Sequence, residues 1–133
     1  MLFVTVATCN RKPVLASPAA HAALRRAWSI ADRWRVGRYV VMPDHVHLFA
    51  SPTAAARSLV SWIQFWKSLV SREWADRDDL PLWQRDFWDT EIRSREGYAS
   101  KWVYVEQNPL RRGLVTAPEA WPYRGSLHVL AWD

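Results

Sequence analysis

The run Tyr39-Val40-Val41-Met42-Pro43-Asp44-His45-Val46-His47-Leu48-Phe49-Ala50 admits few conformations. It is apolar and rich in β-branched residues on both sides of Pro43-Asp44, a pair that favours a tight connection. Arg38 to Met42 and His45 to Ala50 are therefore expected as the two strands of an antiparallel hairpin. Successive strand side chains point to opposite faces, so His45 and His47 emerge on the same side, roughly 6 to 7 Å apart along the strand. Two imidazoles in that relation can share one divalent metal, or pair separately with carboxylates. Two ligands alone do not complete a metal site.

The elements around the hairpin follow from periodicity and punctuation. Leu2 to Thr8 alternates and reads as a strand ended by Asn10-Arg11-Lys12-Pro13. Ser17-Pro18 has the form of an N-cap followed by proline at the first helical position, opening a helix to about Arg33 with Leu24, Ala27, Trp28 and Ala31 inward. Gly37 is expected to separate that helix from the hairpin. Ser51-Pro52 repeats the cap-and-proline signature and predicts a helix from Thr53 to Trp74. On it Leu59, Trp62, Ile63, Trp66, Leu69 and Val70 form the buried face, with Arg57, Ser61, Gln64, Lys67, Ser68 and Ser71 opposite. Trp83 to Trp88 is expected to begin a short strand, and Ser94 to cap a third helix ending near Gln107. Pro109 disfavours helical geometry at Asn108, which places that residue at or just past the helix end. Residues 114–133 are short and proline-punctuated and are expected as a C-terminal tail that packs loosely or contacts a partner. The whole, residues 1–133, is expected as one domain.

Composition narrows the function classes. Formal net charge is +5, which favours a polyanionic partner. The single Cys9 excludes an internal disulfide and a multi-cysteine zinc module and points to a reducing, intracellular setting. The N-terminus lacks the pattern of a signal peptide, and no stretch approaches the roughly 18 apolar residues of a membrane span, so a cytoplasmic protein without a membrane partner is expected. Ten tryptophans are unusual at this length. Most are expected in the core, and the remainder are available to stack on unpaired bases.

On the third helix, at about 100° per residue, Gly97, Lys101, Tyr104 and Asn108 fall within about 60° of one another, apart from the apolar stripe Tyr98, Trp102 and Val105. Docking the stripe on the sheet would bring Tyr104 and Asn108 near the histidine strand. A tyrosine beside a bound metal suits phosphodiester cleavage. A phenol with a pKa of about 10 is a weak nucleophile at neutral pH, and a divalent metal would polarise the phosphate it attacks. Attack would leave a 5′-phosphotyrosine and a free 3′-hydroxyl, so the strand could be rejoined without ATP.

Together these blocks resemble the HUH superfamily of single-tyrosine nucleases, and specifically its REP-associated tyrosine transposases. The similar segments are Thr5 to Pro13, Val41 to Leu48, Trp83 to Asp89 with Ile92-Arg93, and Tyr104 to Val115, in that order. The resemblance implies a ferredoxin-like α+β fold with an antiparallel sheet. It implies that His45, His47 and Asn108 bind Mg²⁺ or Mn²⁺, that Tyr104 is the nucleophile, and that single-stranded DNA hairpins of REP-like palindromes are the substrate. It also implies action as a monomer, with related insertion-sequence transposases acting as dimers. Arg85, Arg93, Arg95 and Lys101 are the basic residues expected nearest the DNA. The tail Trp121-Pro122-Tyr123-Arg124-Gly125-Ser126 departs from the Trp-Ser-Ser ending of the family. Two other function classes stay open at this point, a hairpin-binding regulator without catalysis and a metal-dependent hydrolase that uses water.

Overall fold

The structure, a computed structural model, describes residues 1–133. Its elements are β1 (Leu2–Ala7), α1 (Pro18–Ile30), β2 (Trp34–Val41), β3 (His45–Pro52), α2 (Leu59–Glu73), β4 (Trp88–Glu91), α3 (Arg95–Glu106), α4 (Asn108–Arg111) and β5 (Arg124–Ser126). The five strands form one antiparallel sheet in the order β4-β1-β3-β2-β5. The first six elements thus give the βαββαβ succession with strand order 4-1-3-2 of a ferredoxin-like α+β domain. β5 extends the sheet beyond β2. No helix is long and apolar enough to cross a membrane.

Strand alternation divides the interior in two. Val4, Val6, Val46, Leu48 and Ala50 face α1 and α2, whose Leu24, Ala27, Trp28, Trp62, Ile63, Trp66 and Val70 complete a cluster of 20 buried residues. Phe3, Val40, Met42 and Phe49 point the other way and meet Tyr98 and Val105 of α3 in a second cluster of 9. His45, His47 and Phe49 share the parity of that second face. The hairpin therefore presents its histidines to α3.

Several boundaries differ from the sequence expectation, each for a local reason. Gly37 lies inside β2, not before it, where the pairing with β3 shifts register between Val36 and Tyr39. A Cβ there would stand 2.6 Å from Leu130 Cδ1, the close approach that glycine permits. Ser51 and Pro52 still pair with Arg35 and Trp34, so they end β3 and do not start a helix. Ser58 is the cap of α2, its Oγ accepting from Ser61 N at 3.2 Å. α1 stops at Ile30, three residues before Arg33, and the indole Nε1 of Trp62 donates to the free carbonyl of Ala31 at 2.7 Å. Lys67, expected on the open side of α2, is buried and donates to the Gln84 carbonyl at 2.8 Å. Trp83 forms only an isolated bridge with Thr8, and β4 proper begins at Trp88.

The segment after Gly113 is not a loose tail. Trp121 and Leu130 are buried, Trp121 Nε1 donates to Val41 O at 2.9 Å, and β5 pairs with β2. The Asp133 carboxylate accepts from the Tyr98 hydroxyl of α3 and from Leu130 N at 2.6 Å. This segment thereby clamps α3 against the sheet.

Candidate metal and nucleic-acid site

Neighbouring strands place the first two site residues. In the β1–β3 ladder Thr5 lies opposite His47, and Thr5 Oγ1 is 2.8 Å from His47 Nδ1. Asp44, the residue before β3, lies 2.7 Å from His45 Nδ1 through its Oδ1. With Nδ1 occupied in this way, each imidazole turns Nε2 toward the space under α3, and the two Nε2 atoms are 3.0 Å apart. Burial is the main cause that lowers both histidine pKa values. His47 is pushed down to about 3, with the charges of His45, Lys101, Arg11 and Arg111 adding to the effect. Both rings are neutral at pH 7, the state in which imidazole binds a metal.

The third residue comes from the end of α3. That helix is capped by Ser94, whose Oγ accepts from Gly97 N at 3.0 Å, and it closes at Glu106. Asn108 lies just past the end of α3, as expected from Pro109. It opens α4, with Pro109 in the first turn, where a missing N–H costs nothing. The Asn108 side-chain amide reaches within 3.4 Å of His45 Nε2 and 3.2 Å of His47 Nε2.

These three groups fit a divalent cation. Amide O and N are interchangeable by a half-turn of the side chain, which sets Oδ1 toward the histidines. With His47 Nδ1–H given to Thr5, both Nε2 lone pairs face one space. Separations of 3.0 to 3.4 Å match the roughly 3.0 to 3.4 Å between donors that share a metal at about 2.0 to 2.1 Å. No group of three or more His, Cys, Asp or Glu side chains converges anywhere in the chain, so the amide is the available third donor. Two imidazoles and one oxygen leave positions open for water and phosphate, a set compatible with Mn²⁺ or Mg²⁺.

Asp44 is more than the turn residue of the hairpin. Its Oδ2 accepts from Arg11 Nε at 3.1 Å and lies 3.8 Å from Arg112 Nη2, while Oδ1 orients His45. Desolvation raises its pKa, but the hydrogen bond from His45 and the charges of His45, Arg11 and Arg112 together carry it below the ordinary value. Arg11 reaches Asp44 because the chain after β1 turns through two left-handed residues, Asn10 at φ 56° and Arg11 at φ 54°.

Tyr104 is 62% exposed on the face of α3 that also carries Lys101, and the Arg111 guanidinium lies 3.9 Å over its ring. Lys101 Nζ stands 5.1 Å above the ring of Phe3, which itself stacks on His47 at 5.4 Å. Of the four basic residues expected nearest DNA, Lys101 is therefore brought to the histidines. Arg85 and Arg95 are exposed, and Arg93 is exposed and paired with Glu91 at 3.0 Å. None of these three contacts the histidine cluster.

Thr5, Asp44, Arg11, Arg111 and Arg112 are the site residues that sequence reasoning missed. Asp44 had a signal in its adjacency to His45, and Arg111 and Arg112 in their helical spacing of three and four from Asn108. Thr5 and Arg11 lie in the Thr5 to Pro13 block that resembles the family, but no local spacing placed them at the site, since one depends on strand register and the other on a left-handed turn.

No family model matches the chain. A protein of Haemophilus influenzae provisionally named a REP-associated tyrosine transposase is 26% identical over 94 residues, 62% of this chain and 53% of that protein. The chain thus spans about half the length of this relative. Among solved structures, a REP-associated tyrosine transposase bound to a REP hairpin superposes with a TM-score of 0.79 at 25% identity, over 92% of this chain and 74% of that one. A transposase provisionally assigned in Deinococcus radiodurans superposes at 0.55 with 21% identity, over 80% of this chain and 88% of that one, a likeness of fold.

Proposed function

We propose that this chain, which resembles the REP-associated tyrosine transposases in sequence and in backbone, is a metal-dependent single-strand DNA endonuclease and strand transferase. It acts at hairpins of palindromic elements. The observation that carries this reading is the convergence of His45 Nε2, His47 Nε2 and the Asn108 amide, with Tyr104 one helical turn before Asn108. The solved relative bound to a REP hairpin supports the substrate class.

Each residue has a role in this reaction. His45, His47 and Asn108 hold the cation, Mg²⁺ or Mn²⁺. When bound, the cation polarises the scissile phosphate and offsets charge on the departing 3′ oxygen. Tyr104 Oη attacks the phosphorus and gives up its proton to water as the bond to the 3′ oxygen breaks. That oxygen takes a proton from water and leaves as a free 3′-hydroxyl, and the 5′-phosphate remains on the tyrosine. Attack by a new 3′-hydroxyl reverses the step and transfers the strand. Lys101, Arg111 and Arg112 supply charge toward the phosphates, and Arg85, Arg93 and Arg95 contact the backbone farther along. The protein acts as a monomer on DNA in the cytoplasm.

The test incubates the protein with labelled DNA hairpin pools and Mn²⁺ or Mg²⁺, beside a chelator control and Tyr104→Phe. A denaturation-resistant protein–DNA adduct that is lost in both controls is expected. Hairpin binding without an adduct would assign a regulator instead, and metal-dependent cleavage that survives Tyr104→Phe would assign a hydrolase using water.

A further inference from the structure

Of the ten tryptophans, five are buried, and Trp88 stands alone among them as an exposed large hydrophobic, 52% accessible. It opens β4, an edge strand whose four residues are all exposed. Its ring makes no aromatic or cation–π contact in the structure, and its indole N–H has no hydrogen-bond partner, although most of the other tryptophans are engaged through ring or N–H.

The position of Trp88 gives that exposure a meaning. Trp88 lies opposite Thr5 in the β1–β4 ladder, Thr5 opposite His47 in the β1–β3 ladder, and His47 opposite Val40 in the β2–β3 ladder. Residues directly opposite in antiparallel pairs share a face, so the indole stands on the His47 face of the sheet, two strands away. At about 4.8 Å between strands, its Cα is roughly 10 Å from that of His47. A nucleotide adjoining a phosphate held at the histidines can reach it. Asp89 and Glu91 alternate to the opposite face, so the carboxylates of β4 turn away from this path, while Lys101 and Arg111 lie on the α3 side of the site.

We infer that Trp88 is a stacking platform for an unpaired base of the DNA strand that passes the histidine site. This rests on the single-strand DNA reading above and assigns the residue that grips the strand beside the cleavage point. An exposed indole offers a π-face to any base, so the contact tolerates sequence and requires the base to be unpaired.

The test measures fluorescence anisotropy of labelled DNA hairpins with single-stranded flanks of about ten randomised nucleotides, against blunt hairpins. It uses the Tyr104→Phe background with Mn²⁺ so that the DNA is not consumed. Trp88→Ala is expected to weaken binding of flanked hairpins about 10-fold or more, and Trp88→Phe, which keeps a ring, about 3-fold or less. Flanks made of abasic sites should weaken the parent by the same factor as Trp88→Ala, and should cost Trp88→Ala nothing further. Flank-dependent binding that Trp88→Ala leaves unchanged would overturn the inference alone, as would independent, multiplying effects of the variant and the abasic flank. A parent protein that binds flanked and blunt hairpins equally would overturn the single-strand reading and the inference with it.

Discussion

The Arg111 guanidinium of α4 lies 3.9 Å from the ring centroid of Tyr104 on α3, across the junction of the two helices, and makes no ion pair of its own. Tyr104 is otherwise exposed, so this contact is what limits the motion of its ring. Such a contact at an exposed site contributes about 0.5 to 1 kcal/mol. The edge N–H groups of Arg111 remain free for a phosphate oxygen. Arg111→Ala is therefore expected to lower the rate of adduct formation by about 10- to 100-fold, through misplacement of the attacking oxygen. Thermal stability should be unchanged. Arg111→Lys restores charge without the planar stack and should recover little of the rate. Single-turnover kinetics on a cleavable hairpin checks both.

Asp44→Asn removes the carboxylate that orients His45 and receives Arg11 and Arg112. Loss of such an outer partner weakens metal affinity about 10- to 100-fold, and isothermal titration with Mn²⁺ would read it directly.

Asp44 also predicts a pH dependence. Its folded pKa lies below the ordinary 3.8, so its ionised form contributes stability that is fully present above 3.8 and is lost as pH falls through the depressed value. Urea unfolding from neutral pH to below 3.8 should show a smaller loss of stability in Asp44→Asn than in the parent. Equal losses would mean that Asp44 is not linked to folding.

Ser94→Ala removes the cap of α3, whose Oγ accepts from Gly97 N. A cost of about 1 kcal/mol is expected, with Ser94→Asp close to the parent. Because α3 carries Lys101 and Tyr104 and leads into Asn108, Ser94→Ala should also raise the Mn²⁺ concentration needed for half-maximal adduct formation. Melting curves and a metal titration of the reaction check the two halves.

Gly37→Val puts a side chain where a Cβ already meets Leu130 Cδ1 at 2.6 Å and Cγ at 2.8 Å. The expected cost is about 1 to 3 kcal/mol from overpacking, measured by urea denaturation. Displacing Leu130 also disturbs the neighbouring Asp133 clamp on Tyr98, so amide exchange in α3 should quicken more than in α2.

Features written in local chemistry were legible in the sequence. The parity of His45 and His47, the Ser17 and Ser94 caps and the inward faces of the first two helices depend on neighbours within a few residues, and the structure shows them. Features set by distant partners were not. Ser51-Pro52 has the form of a helix start, but its backbone is claimed by Arg35 and Trp34 on β2. Lys67 has the look of a solvent-facing residue until the Gln84 carbonyl is folded over it. Residues after Gly113 are too short and broken to signal a strand, yet the free edge of β2 captures Arg124 to Ser126. Within the site, the histidines could be read, whereas Thr5 and Arg11 are fixed by register and by a left-handed turn.

The two hydrophobic clusters on opposite faces of the sheet carry a consequence for how this protein can change over generations. The larger cluster, under α1 and α2, holds most of the buried apolar mass and none of the reactive groups. The smaller one seats α3 on the sheet face that carries His45 and His47. Substitutions that retune Tyr104, Asn108 or their cationic neighbours draw on the smaller reserve and leave the larger intact. The scaffold can therefore outlast change at the candidate site, and descendants that lose Tyr104 or Asn108 would still fold.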